Sequence, residues 1–230
     1  MNLFIKYSVL VFRALHICDG FIRVWVLRLI PAARNGVLIF SDTQSVKGTT
    51  VRSVKLIREN HKSRASLVKV GDRFFIEKKF KKNSFREFFK FFSEFSIYQK
   101  LADVECVPKL TAMAPTQMCL YLEFIDGVTW SEFLKRSPPH SCGLYMQHIE
   151  CAYKTVHKVG VLHMDVTGKN ILLDQKCRVK IIDFADSVSL SVLPKWLRCR
   201  YFERDFSRLK AVEEKYSRNA VASNHLVNGK

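Results

Sequence analysis

The spacing of apolar positions changes along the chain, and each change predicts a different element. Residues 54–57 (VKLI) and 64–70 (RASLVKV) read as strands joined by a polar connection at 60–63. Gly71-Asp72 is a tight-turn dipeptide and 73–80 (RFFIEKKF) is the return strand of a hairpin. Over 81–101 the period lengthens: Phe88, Phe91, Phe92, Phe95 and Tyr98 share one helical face, with Asn83 or Ser84 placed to cap it. Pro108 and Pro115 bracket a short apolar segment, and 119–127 (CLYLEFIDG) reads as a buried strand ending at Asp-Gly. A short helix over 128–136 is stopped by Ser137-Pro138-Pro139, and a second helix covers 143–158 before Gly160. Two short strands, 170–174 and 178–184, surround a polar turn; 194–216 is basic and helical, and 217–230 reads as a frayed, flexible tail. This order is α+β rather than an alternating βαβ pattern.

The first forty residues follow a different pattern. LFIKYSVLVF (3–12) and FIRVWVLRLI (21–30) are apolar stretches broken by Lys6, Arg23 and Arg28, with Arg13 between them. Both fall short of the roughly 18–20 uninterrupted apolar residues that span a bilayer. A signal peptide fits poorly, because no basic start precedes the apolar run and no small-x-small site follows it. Apolar stretches interrupted by arginine suit an interfacial segment lying on an anionic membrane, and equally an amphipathic element packed on the body of the protein.

Composition adds two constraints. At 230 residues with 48% hydrophobic and 26% charged positions the chain is globular, which excludes wholesale disorder, a collagen and a multi-span membrane protein. Lys and Arg number 38 against 21 Asp and Glu, so the formal charge is +17. A field of that sign attracts polyanions: nucleic acid, anionic lipid headgroups or phosphorylated substrates. Seven scattered cysteines with no C-x-x-C pair point to reduced thiols rather than a disulfide framework or a zinc site.

The chemistry is concentrated in residues 157–186. His163-x-Asp165 is followed by Asn170 five residues after the aspartate, and Asp183-Phe184-Ala185 closes an apolar strand. Here the sequence resembles the protein-kinase-like superfamily, through its H-x-D-x-x-x-x-N catalytic loop and a D-F-G-like metal motif. The resemblance implies a minimal two-lobed protein-kinase-like fold: a basic N-terminal segment (1–50), an N-lobe (51–127), a reduced C-lobe (128–216) and the tail. It implies ATP and Mg2+ as cofactors. Asp165 would take the proton of the acceptor hydroxyl, and Asn170 and Asp183, hard oxygen donors, would hold the metal. Lys169 can reach the transferring phosphate, although the position that carries this lysine in many protein kinases is Thr167 here. His163 reads as a scaffold of the loop rather than a base. Upstream, Lys78 matches the strand lysine that holds the α- and β-phosphates. Glu94, 16 residues later, is its helix partner, favoured over Glu87 because Ile97 and Leu101 continue its face. LYLEFIDG (120–127) resembles the segment linking the lobes, where the Glu123 carbonyl and the Ile125 amide would meet adenine.

The sequence also departs from that pattern. No glycine-rich loop precedes the lysine strand, the metal motif ends in Ala185, and neither an A-P-E motif nor a long activation segment follows in the 45 residues 186–230. Among compact kinases the chain is similar to bacterial lipopolysaccharide core kinases, with RYFERDFSRLK (200–210) matching their basic closing helix. That resemblance implies phosphorylation of an inner-core sugar, heptose or Kdo, on an anionic glycolipid or phosphosugar acceptor. It also implies a cytoplasmic enzyme peripheral to the anionic inner face of the cytoplasmic membrane. Two other readings stand beside it: a minimal atypical serine/threonine protein kinase, and a non-catalytic kinase-fold binding protein. Nucleic acid ranks last as a partner, since it rests on charge alone.

Overall fold

The computed structural model describes residues 38–39, 51–81, 85–114, 117–136 and 142–227. The expectations for the first forty residues, the Asn83/Ser84 cap and the Ser-Pro-Pro stop lie outside these apart from Leu38 and Ile39. The chain divides into two compact units, one running to Asp103 and including Pro108–Phe124, the other comprising Val104–Val107 and everything from Ile125. The boundary thus falls after Phe124 rather than after Gly127.

The first unit is built on a six-stranded sheet of order β1-β5-β6-β4-β3-β2 among the described residues. Its strands are β1 (Leu38–Ile39), β2 (Val51–Glu59), β3 (Ser63–Val70), β4 (Arg73–Phe80), β5 (Leu110–Ala114) and β6 (Cys119–Glu123). β2, β3 and β4 form an antiparallel meander, β4 pairs β6, and β1 joins β5 in parallel. Gly71 makes the β3–β4 turn at φ +58°, a conformation glycine adopts without strain. Helix α1 (Phe85–Lys100) buries Phe91, Phe92, Phe95, Ile97 and Tyr98, so the helical spacing of aromatics is a core stripe. The opposite sheet face carries a second cluster of Val68, Ala112, Ala114, Cys119 and Tyr121. Burial pushes the Cys119 thiol well up, which leaves it an inert core residue.

The second unit holds β7 (Gly127–Thr129), α2 (Trp130–Arg136), α3 (Cys142–Lys158), β8 (Val161–Leu162), β9 (Ile171–Asp174), β10 (Val179–Ile181), β11 (Val188–Ser189) and α4 (Lys195–Val227). A three-stranded sheet runs β10-β9-β7, and β8 pairs β11. The Asp126-Gly127 dipeptide, read from sequence as the end of a strand, instead opens β7. A Cβ on Gly127 would stand 2.1 Å from the Leu173 carbonyl oxygen, so only glycine allows this close pairing with β9. Thr129 and Glu132 then cap α2 reciprocally: Thr129 N–H donates to Glu132 Oε2 at 3.0 Å and Glu132 N–H to Thr129 Oγ1 at 3.2 Å.

The tail expectation is corrected. The helix predicted over 194–216 continues to Val227 instead of fraying after 216. Neither glycine nor proline interrupts 195–227, and the first breaker is Gly229. Among the described residues no helix is long and apolar enough to cross a membrane.

Candidate active site

In the first unit, alternation along β4 places Lys78 on the face of Phe74, Ile76 and Phe80, opposite Leu120 of β6. An ammonium on that face needs a counter-charge. Its Nζ lies 2.7 Å from Glu94 Oε1, with Lys78 8% and Glu94 0% exposed. The Lys78 ammonium also stands 5.5 Å from the Phe80 ring centroid. Glu87 lies on the first turn of α1, almost two turns before Glu94, and is buried as well.

The glycine-free connection between β2 and β3 is a tight turn closed by Asn60. Its Oδ1 accepts the N–H groups of Lys62 at 2.7 Å and Ser63 at 2.8 Å. Those two amides are satisfied within the turn, whereas a glycine-rich loop turns its amides toward phosphate.

In the second unit the loop from His163 to Asn170 is fixed by a web of short bonds. Asn170 donates from Nδ2 to both the backbone oxygen and Oδ2 of Asp165, each at 2.9 Å. Both contacts use the amide nitrogen, so the carboxamide oxygen is left as an acceptor. Asn170 N–H donates to Thr167 O at 3.0 Å, closing the turn on which Lys169 stands exposed. Ile182 bridges the loop and the metal motif: its N–H donates to Asn170 O at 2.9 Å and its carbonyl meets His163 Nε2 at 2.9 Å. The next residue, Asp183, has φ +66°, which explains why β10 stops at Ile181 although the apolar run continues to 184. Phe184 packs in the core against the His163 ring, centroids 4.9 Å apart. Ser131 N–H of α2 donates to Gly168 O at 3.0 Å, tying the capped helix start to the same loop.

His163 is completely buried, and desolvation lowers its pKa below the usual imidazole value. A neutral ring that donates Nε2–H to the Ile182 carbonyl has Nδ1 free to accept Asp165 N–H at 3.3 Å. The histidine is therefore a neutral two-sided brace.

One residue that sequence reasoning missed sits beneath the loop. Asp205 of α4 is 1% exposed and accepts His163 N–H at 2.7 Å, Met164 N–H at 3.0 Å and His157 Nε2 at 3.1 Å. Its signal was present: Tyr201, Asp205 and Leu209 form one helical stripe, and a carboxylate inside an apolar stripe demands buried donors.

The structure thus brings together Lys78 with Glu94, and Asp165 with Asn170. It links Asp183 to both Asn170 and His163 through Ile182. Glu123 and Ile125 fall on either side of the unit boundary; the Glu123 amide and side chain both engage the Lys109 backbone. Among the described residues no three His, Cys, Asp or Glu cluster as a metal site. The Asn170 oxygen and the Asp183 carboxylate nevertheless fit Mg2+, which takes few protein oxygens and keeps water or phosphate for the rest.

The fold is that of a kinase domain. A solved structure titled crystal structure of BubR1 kinase domain superposes with a TM-score of 0.58 at 12% identity, covering 78% of this chain and 61% of that one. Residues 53–195 match the family described as Protein kinase domain, and the chain belongs to that family. Members of that family carry out phosphoryl transfer with ATP and Mg2+. Among curated relatives, the serine/threonine-protein kinase STE11 of Saccharomyces cerevisiae is 35% identical over 79 residues, 33% of this chain and 11% of that protein. The serine/threonine-protein kinase LATS2 of Homo sapiens is 33% identical over 88 residues, 36% of this chain and 8% of that protein. The matches thus span about a tenth of the length of these relatives.

Proposed function

We propose that the chain transfers the γ-phosphoryl group of ATP to a serine or threonine hydroxyl of a protein. The observation that carries this reading is the Asp165 carboxylate, half-exposed in its loop and oriented by Asn170 at 2.9 Å. The similarity to serine/threonine protein kinases supports a protein acceptor. In the transfer the acceptor oxygen bonds to the γ-phosphorus as the bond to the bridging oxygen of ADP breaks, and the acceptor's proton passes to Asp165. Asn170 and Asp183 would hold Mg2+, which offsets phosphate charge when bound. Lys78, fixed by Glu94, would hold the α- and β-phosphates, and Lys169 the transferring group.

The earlier reading, a lipopolysaccharide core-sugar kinase at the inner face of the cytoplasmic membrane, draws on one specific feature. Only eleven residues, 184–194, separate Asp183 from Lys195, where a long activation segment would dock a peptide. The comparisons favour the protein acceptor over it. Incubation with γ-labelled ATP and Mg2+, offering casein and histone in one series and core lipopolysaccharide in another, separates the two. Label on protein serine or threonine is the expected result, and label on glycolipid alone would overturn it. No transfer to any acceptor, with nucleotide still bound, would favour a non-catalytic binding protein.

A further inference from the structure

The residue between His163 and Asp165 is held by more than its neighbours in sequence. Met164 has φ +66° and is buried. For a side-chain-bearing residue the left-handed region costs about 1–2 kcal/mol, so surrounding contacts must maintain it. Two peptide planes meet at Met164. The plane before it is anchored on both edges: Ser187 Oγ donates to His163 O at 3.0 Å, and Met164 N–H donates to Asp205 Oδ1 at 3.0 Å. The plane after it leads directly into Asp165 and is anchored unequally. Its N–H reaches His163 Nδ1 at 3.3 Å, a long contact. Its carbonyl accepts a bond from the Arg208 guanidinium.

Asp205 and Arg208 stand three residues apart on α4, so both project from one face. Between them they grip the N–H and the C=O of a single residue. A guanidinium suits this task, being charged at every working pH and planar. α4 begins where the family match ends, at residue 195, so the match assigns no role to either residue.

We propose that Arg208 is a positioning residue: it fixes the peptide plane from which Asp165 emerges, and with it the direction of the Asp165 carboxylate. Without the guanidinium, only the long His163 contact restrains that plane. The plane then rotates about its Cα–Cα axis and carries Asp165 off its aim. The inference rests on the phosphotransferase reading only where catalysis is the readout; the clamp itself is a property of the backbone.

The test compares the full-length protein with R208M, R208K and R204M, the last an exposed arginine one turn earlier. Amide hydrogen exchange across 163–170 is measured beside kcat and KM for MgATP. In R208M, exchange at Asp165 and its neighbours should rise about tenfold while α3 and β9 stay protected. kcat should fall by about tenfold to a hundredfold with KM for ATP held within about twofold, as expected of misdirected rather than missing chemistry. R208K should lie between wild type and R208M in both readouts, and R204M should match wild type. Exchange in R208M that is unchanged, or that rises evenly through the whole second unit, would overturn the clamp. So would an unaltered kcat. Should R208M fail to fold, R208K decides by the same criterion of loop-confined exchange. If the wild type transfers no phosphate, the phosphotransferase reading fails while the exchange arm still decides the clamp.

Discussion

Lys78 and Asp165, the residues assigned to the two ends of the reaction, are held in opposite ways. Lys78 is fixed through its side chain, 2.7 Å from a carboxylate on the helix that follows its strand and 5.5 Å from the Phe80 ring centroid. Asp165 is fixed mainly through its backbone. His163 and Met164, just before it, bond to Asp205 and Arg208, which lie 42 and 44 residues further along the chain. The first arrangement joins two side chains, one on a strand and one on a helix of the same unit. The second is continuous with the core of its unit, so the catalytic loop and the packing of α4 stand or fall together.

Breaking the first arrangement should produce the largest effect. Lys78→Met removes the cation 2.7 Å from the buried Glu94 carboxylate, and stability should drop by about 3–5 kcal/mol. Lys78→Met/Glu94→Leu replaces the pair by apolar groups and should recover most of that loss in thermal or urea unfolding, without recovering phosphoryl transfer. If the double variant is as unstable as the single one, the pair is not exchangeable and the contrast fails. Asp205→Ala should come next. It strips partners from two buried N–H groups and from His157, and stability should fall by about 1–3 kcal/mol in all, because water entering the space left by the carboxylate takes up part of the lost bonding. Stability and turnover should fall together here, and no apolar partner change should restore either. A variant that melts like wild type would show that α4 does not support the loop.

The smallest effect concerns pH and sharpens the role of His163. Burial lowers its pKa in the folded protein. The unfolded chain therefore takes up a proton near pH ~6.5 that the folded chain resists. Stability should be level above that pH, fall as pH drops below it, and level off under the depressed folded value. His163→Gln can keep the bond to Ile182 O without a titrating ring, and should flatten this part of the stability curve. A Gln variant with the same acid slope as wild type would place the titration elsewhere.

The difference between the two regions also explains how much could be read from sequence. The Lys78–Glu94 contact was legible because both ends lie in regular elements, where strand alternation and helix periodicity fix the faces. That Asp165 and Asn170 act together was legible as spacing, through the H-x-D-x-x-x-x-N pattern, whereas the Ile182 bridge was not, because Ile182 lies outside that pattern and joins it only through backbone bonds. Asp205 and Arg208 were not, since periodicity says which face a residue occupies and nothing about which loop that face will meet. Gly127 was misread for a related reason. Asp-Gly is a turn signal locally, and only the pairing partner Leu173, 46 residues away (173 − 127 = 46), makes it a strand position. The helical run to Val227 has no breaker before Gly229, so its continuity is a property of the sequence itself.

The central claim is that Asp165 serves as the base of phosphoryl transfer. It is tested most directly by transfer from γ-labelled ATP in Asp165→Asn, which keeps the shape and the contact with Asn170 but cannot accept the proton. Turnover should fall by about a hundredfold or more, within the ~10²–10⁴ that a positioned base contributes, with nucleotide binding unchanged. An Asp165→Asn protein that transfers phosphate as fast as wild type would contradict the account.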